Sequence, residues 1–344
     1  MKFSQLARLA LSLIVGSPFF SPPAAALAEE PAVYSLRGDD HGQLLQTPRG
    51  RIALRYMTRK PADSQLSANS VCCLFPLTTP AGVRVVDFAP DDHRHHRGVF
   101  LAWHAMKVRF ADADETRADF WGWGEMAPTE GRVIRNREVK LIAADAETAR
   151  LSVANDWLAD ERVAMREQTE IVVREVPDAY VVDLQFRLTP VAQVTLDRSA
   201  FGGFCVKARK DGEAVYSMAA DQQAGAEVVP VSLPAPHYLK PETDWPAAAW
   251  YDYTIKLSGA AGDGTETADA GSTVGIAVID HPQNPATAWH NLAAIAMINP
   301  CIVAPGEVTF TKEQPLVLRY RLVVHDGPPQ AALLARLARQ WRGE

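Results

Sequence analysis

From Ala179 to Thr189 apolar and polar residues alternate without a break: Val182, Leu184, Phe186 and Leu188 lie two apart, separated by Asp183, Gln185 and Arg187. A period of two is what an extended chain with one buried and one wet face requires, and no helix satisfies it. Comparable β-branched and apolar runs recur at 51–57, 83–88, 98–108, 132–142, 150–154, 162–174, 273–279 and 316–325, bounded by Gly, Pro, Asp and Asn. Many short strands with turn signals between them predict stacked antiparallel sheets. The expected fold is all-β, a large antiparallel β-sandwich. Only 329–341 has helical spacing, with Leu333, Leu334, Leu337 and Trp341 on one stripe, which predicts a C-terminal helix lying as a lid on the sandwich. The Gly, Ala, Asp and Thr rich stretch 259–271 reads as a surface loop.

Residues 1–28 read as a signal peptide: Lys2 and Arg8 precede an apolar stretch from Leu9 to Phe20, and Ala26-Leu27-Ala28 stands before Glu29. The stretch is broken by Gly16, Ser17 and Pro18 and falls short of the roughly 20 apolar residues of a spanning helix. The expectation is cleavage, a periplasmic or extracellular address, and no membrane span in the mature chain, with 29–344 forming a single β-sandwich domain. A 47% hydrophobic content suffices for its core. A net charge of -6 and no Lys/Arg block exclude a nucleic-acid footprint. Cys72, Cys73, Cys205 and Cys301 have no zinc spacing, and the apolar run around Cys72 and Cys73 predicts buried free thiols.

The stretch Asp91-Asp92-His93-Arg94-His95-His96-Arg97-Gly98 holds three of the nine histidines within four residues. Imidazole titrates near neutrality and is the commonest transition-metal ligand, so this density points to proton transfer or metal binding. In an extended backbone His93 and His95 would share a face with Arg97, and His96 would point away. Asp119-Phe120-Trp121-Gly122-Trp123-Gly124-Glu125 places acids at both ends of three aromatics, a combination suited to the apolar and hydroxylated faces of a sugar ring. Gly202-Gly203 followed by Lys207 and Arg209 offers groups to clamp a carboxylate or hydroxyl pair. Asp280-His281-Pro282-Gln283-Asn284 and Trp289-His290-Asn291 bring two more histidines into a Pro-rich loop after a strand.

Taken together, 92–98, 119–121, 202–209, 280–284 with Trp289, and 320–327 resemble the bacterial family labelled "methane oxygenase PmoA", with Arg94 where that family carries Pro. The resemblance implies a large β-sandwich similar to the galactose-mutarotase-like supersandwich, found in glycan-degrading bacteria. It does not imply methane oxidation, which needs several spanning helices.

Three readings follow. The leading one is an exported enzyme that cleaves or isomerises a sugar or glycoside by His-based acid/base chemistry, as a lyase, hydrolase or epimerase. His95 or His96 and His281 or Asp280 would be the proton donor and acceptor. Asp92, Arg97, Asp119, Trp121, Arg209, Asn284 and Trp289 would bind the ring and its oxygens. The second is a non-catalytic glycan-binding module using the same groups. The third is a metal-dependent oxygenase or hydrolase in which His93, His95 and His290 hold a divalent metal.

Overall fold

The computed structural model describes residues 32–219, 228–231, 245–258 and 269–343; the signal-peptide reading of 1–28 and most of the 259–271 loop fall outside them. The expected alternation builds a nine-stranded antiparallel sheet. Its spatial order is Val228–Val231, Gly212–Ala219, Trp250–Leu257, Thr273–Asp280, Leu316–Asp326, Ala179–Pro190, Arg162–Val176, Thr148–Ala159 and Arg132–Ala144. A second sheet runs Ser35–Gly38, Gly42–Gln46, Ile52–Met57, Cys73–Leu77, Val99–Ala102, Gly203–Lys207 and Met297–Ile298. The two pack face to face, because Phe204 of the smaller sheet stacks on Tyr320 of the larger one at 4.1 Å and meets Phe186 at 6.1 Å. The chain is therefore an antiparallel β-sandwich.

The alternation of 179–189 is only half obeyed. Val182, Leu184 and Leu188 face the sandwich core, yet Ala179 and Val181 on the opposite face are also fully buried. The C-terminal helix Ala331–Arg342 covers them, packing Leu334, Leu337 and Ala338 onto Ala277, Ile279 and Val323. Gly343 ends that helix in the left-handed region at φ +76°, its N–H donating to the Arg339 carbonyl. Arg321 bolts helix to sheet: Nε and Nη2 donate to Asp183 at 2.5 and 2.8 Å, Nη1 donates to the Leu337 carbonyl at 2.9 Å, and Cζ lies 4.6 Å from the Trp341 ring. Truncation would leave Asp183 half-paired under the helix. Arg321→Ala is expected to cost about 3 kcal/mol and loosen the helix, measured by urea unfolding and by amide exchange of 331–342.

Two strand expectations need correction. The run 98–108 is two strands, Val99–Ala102 in the small sheet and Met106–Arg109 in a separate four-stranded sheet, because the chain leaves the first at Trp103. Residues 83–88 form no strand and make only the isolated bridges Thr78↔Arg84, Val86↔Ala208 and Phe88↔Arg97. The chain turns at Gly82 (φ +91°) and again at Ala89 (φ +48°), so no long register survives between them. All four cysteines are free and buried. No helix among the described residues is long and apolar enough to cross a membrane.

Candidate functional site

The second of those turns makes the site. Residues 87–98 do not run extended, as the alternating placement of the histidines assumed. The His93 N–H donates to the Pro90 carbonyl at 3.0 Å, that of His96 to His93 at 2.9 Å, and that of Ala89 to His96 at 2.8 Å, closing two successive turns. Gly98 returns the chain to the sheet, its N–H bonded to Asp87 and its carbonyl to Lys207. This curl brings all three imidazoles together: ring centroids are 5.6 Å apart for His93 and His95, 5.1 Å for His93 and His96, and 4.5 Å for His95 and His96.

They line one side of a cleft of about 510 Å³. Trp123, Glu125, Met126 and Phe201 line another, and His290, Leu292, Ile295 and Met297 a third. Phe201 is the hub, with ring centroids 5.3 Å from Trp123, 5.7 Å from His290 and 4.3 Å from His104. His104 sits behind it, its Nε2 2.8 Å from the Ser199 hydroxyl. The wall at 292–297 is a short 3-10 turn closed by Ala296 in the left-handed region. Its Ile295 carbonyl accepts from the Lys207 ammonium, which ties it to the floor.

The imidazoles are kept neutral. Burial lowers the pKa of His95 to about 4, of His290 to about 4 and of His104 to about 3. Burial also holds His96 well below its ordinary value, with His95, His93, Lys207 and Arg97 pushing the same way. A neutral imidazole has one donor and one acceptor nitrogen. Among the described residues, His96 Nδ1 and both ring nitrogens of His290 are buried without a hydrogen-bond partner. Buried polar atoms are rarely left so, and here they border a cavity that can hold a ligand.

Of the sequence-predicted groups, His93, His95, His96 and His290 converge here. His281 and Asp280 do not line the cleft. His281 packs edge-on against Trp341 of the C-terminal helix at 5.2 Å, and Asp280, raised to about 6 by burial, accepts from Asn284 at 2.7 Å. Asn284 is a loop staple, bonded in both directions to the Arg319 backbone. Trp289 is core, its Nε1 donating to the Ala248 carbonyl. Arg209 is paired with Asp211 and Asp269. Asp119 accepts from the Gly122 and Gly124 N–H groups and shapes the turn that presents Trp123. Trp121 is fully buried, 5.6 Å from His96, so the ring that reaches the cleft is Trp123. Asp92 pairs with Lys210, and Arg97 is fully buried beneath the turn.

Among the described residues no three His, Cys, Asp or Glu side chains are placed to hold a metal ion, so the ligand set His93, His95 and His290 is not assembled. Sequence reasoning missed Phe201, His104 and the 292–297 wall. The traceable signals were Gly202-Gly203, where an added Cβ would lie 3.1–3.2 Å from the Trp103 ring, and a histidine following the apolar run 99–103.

The sequence model of a family of unknown function, DUF6807, matches residues 46–339, and the chain belongs to that family. This corrects the resemblance to the PmoA family: the matching model is DUF6807. No curated protein matches the chain by sequence. Among solved structures, it is similar to a galactose mutarotase related enzyme from Lactobacillus acidophilus at 6% identity and TM-score 0.32, over 85% of this chain and 97% of that one. It is also similar to the GH36 α-galactosidase AgaA from Geobacillus stearothermophilus at 8% identity and TM-score 0.39, over 86% of this chain and 39% of that one. A GalM/aldose epimerase homologue from C. elegans follows at 10% identity and TM-score 0.31, over 86% and 98%. Likeness at this level carries no argument about chemistry, which rests on the cleft itself.

Proposed function

We propose that this protein is an exported carbohydrate-active enzyme that isomerises or cleaves a sugar or glycoside by acid/base chemistry at uncharged imidazoles. One observation carries the reading: buried, unpartnered nitrogens of His96 and His290 border a cleft whose other walls include His93, Trp123, Phe201, Met126 and Met297. A hydroxylated ring matches that lining. Its hydroxyls both donate and accept, as neutral imidazoles do, and its C–H face packs on an aromatic ring.

His95 and His96, with centroids 4.5 Å apart, are the proposed proton-transferring pair. An uncharged imidazole takes a proton at one nitrogen while donating from the other, so the pair can move a proton beside a carbonyl or hemiacetal carbon. The depressed pKa values favour this uncharged state at neutral pH. His281 and Asp280 take no part in this scheme.

The test is proton NMR of aldoses, ketoses and their glycosides incubated with the protein. His95→Ala and His96→Ala are each expected to lower turnover by about a hundredfold or more, and His281→Ala to leave it unchanged. Full turnover in both cleft variants sinks the assignment. Ligand binding without turnover by any protein would favour the non-catalytic glycan-binding reading.

A further inference from the structure

A buried cation normally has a carboxylate beside it. Among the described residues, two cations behind the cleft make no direct ion pair, although Asp87 and Asp92 favour the charge of Lys207 from further off and Asp119 that of Arg97. Arg97 is 0% exposed, and its guanidinium meets the carbonyls of His95 and Trp121 at 3.0 Å, that of Phe120 at 3.4 Å, and the Phe100 ring at 4.4 Å. Lys207 is also 0% exposed and donates to the Ile295 carbonyl and, at 3.5 Å, to that of Ala208.

The nearby acids are taken. Asp87 pairs with Arg84 at 3.6 Å, Asp91 with Arg94 at 3.3 Å, and Asp92 with Lys210. Asp119, the one buried carboxylate of this region, is occupied by backbone N–H groups at 2.6 and 2.7 Å. Glu125 is the sole carboxylate lining the cleft among the described residues, and it is exposed at the rim. Arg97 and Lys207 are thus buried behind the floor without an ion-pair partner, and His96 and His290, 2% and 1% exposed, carry nitrogens without partners. A carboxylate accepts only, and neutral imidazole N–H groups are donors of the right kind for it.

We propose that the cleft selects a sugar bearing a carboxylate, of the uronic acid type, its anion held by imidazole N–H groups in the field of Arg97 and Lys207. This rests on the carbohydrate reading above and narrows it. Burial is the main cause of the low proton affinity of His96, followed by His95 and His93, and the two cations push the same way. An anion that lifts that penalty also makes proton uptake at the histidine easier, so binding and proton transfer support one another.

The experiment is calorimetric titration of the full chain at neutral pH and low salt with galactose, glucose, galacturonate and glucuronate. At least one uronate is expected to bind about tenfold or more tightly than its neutral counterpart. Glu125→Gln removes the carboxylate at the rim of the cleft and is expected to raise the ratio of uronate to neutral-sugar affinity about threefold. Lys207→Met is expected to abolish the preference; should it not fold, Glu125→Gln carries the test. Neutral sugars bound as well as or better than both uronates overturn the inference and leave the carbohydrate reading standing. No binding of any of the four overturns both.

Discussion

Acidification from pH 6.5 towards 4.5 is expected to unfold this protein at a rate of about 3 kcal/mol per pH unit. In the unfolded chain an imidazole takes up its proton near pH 6.5. In the fold His95 and His290 do so at about 4 and His104 at about 3, while His96 is held well below 6.5. Folded-state values are depressed, so below pH 6.5 the unfolded chain binds more protons and stability falls as pH falls through the folded values. Asp280, raised to about 6, works the other way by protonating earlier in the fold, and offsets about one proton. Glu167 and Asp119, both raised by burial, add to the offset at the acid end.

His325 runs against these four histidines. Its Nε2 lies 2.9 Å from Asp252, and its pKa is raised by that carboxylate against the desolvation that lowers it. Its contribution is fully present below the unfolded pKa and is lost as pH rises through the folded one. One such group does not outweigh four. Urea midpoints between pH 7.5 and 4.5 measure the slope, and His104→Phe should reduce it by about one proton's worth, roughly 1.4 kcal/mol per unit. Stability flat between pH 6.5 and 4.5 would contradict the burial of neutral imidazoles.

Gly98→Ala is the single substitution expected to do most damage to the site. Gly98 has φ +50°, and an added Cβ would lie 2.1 Å from the Leu74 carbonyl oxygen, a backbone atom of the neighbouring strand. Either the small sheet opens or the histidine curl is redrawn. We expect a loss of about 4 kcal/mol or more together with loss of ligand binding. Gly82→Ala is the control: its φ is +91°, but nothing lies within 4 Å of its added Cβ, so only backbone strain of about 1 kcal/mol remains. Chemical denaturation of the two variants side by side measures the difference. Equal losses would mean that crowding against Leu74 is not what fixes the turn.

The strands were legible wherever a residue's neighbours two away decide its burial, as in 162–174 and 179–189. Legibility failed where a neighbour from elsewhere decides it. Ala179 and Val181 are buried by a helix some 150 residues on, as an upper-bound reading of local patterning could not show. At the site, the histidine stretch announced its chemistry by composition, but its geometry came from turn hydrogen bonds at Pro90 and His93 that an extended reading overlooked. The partners offered for it were sorted by residue type alone. His281, Asn284, Arg209 and Trp289 have the right chemistry and sit elsewhere, satisfied by Trp341, Arg319, Asp211 and Ala248. Phe201 and Trp123, less conspicuous in the sequence, reach the cleft because turns next to glycines aim them there.

The cleft draws its walls from 93–96, 123–126, 201 and 290–297, and the last of these is fastened to the rest by the Lys207 to Ile295 contact. A chain that has not yet brought residue 290 home has no binding site at all. Anything bound in the cleft therefore favours the complete sandwich over every partly assembled form, and at a hundred times its dissociation constant would add about 2.7 kcal/mol to stability. The melting temperature of the whole protein thus reports on an unidentified ligand as directly as turnover would, without any reaction having to be guessed.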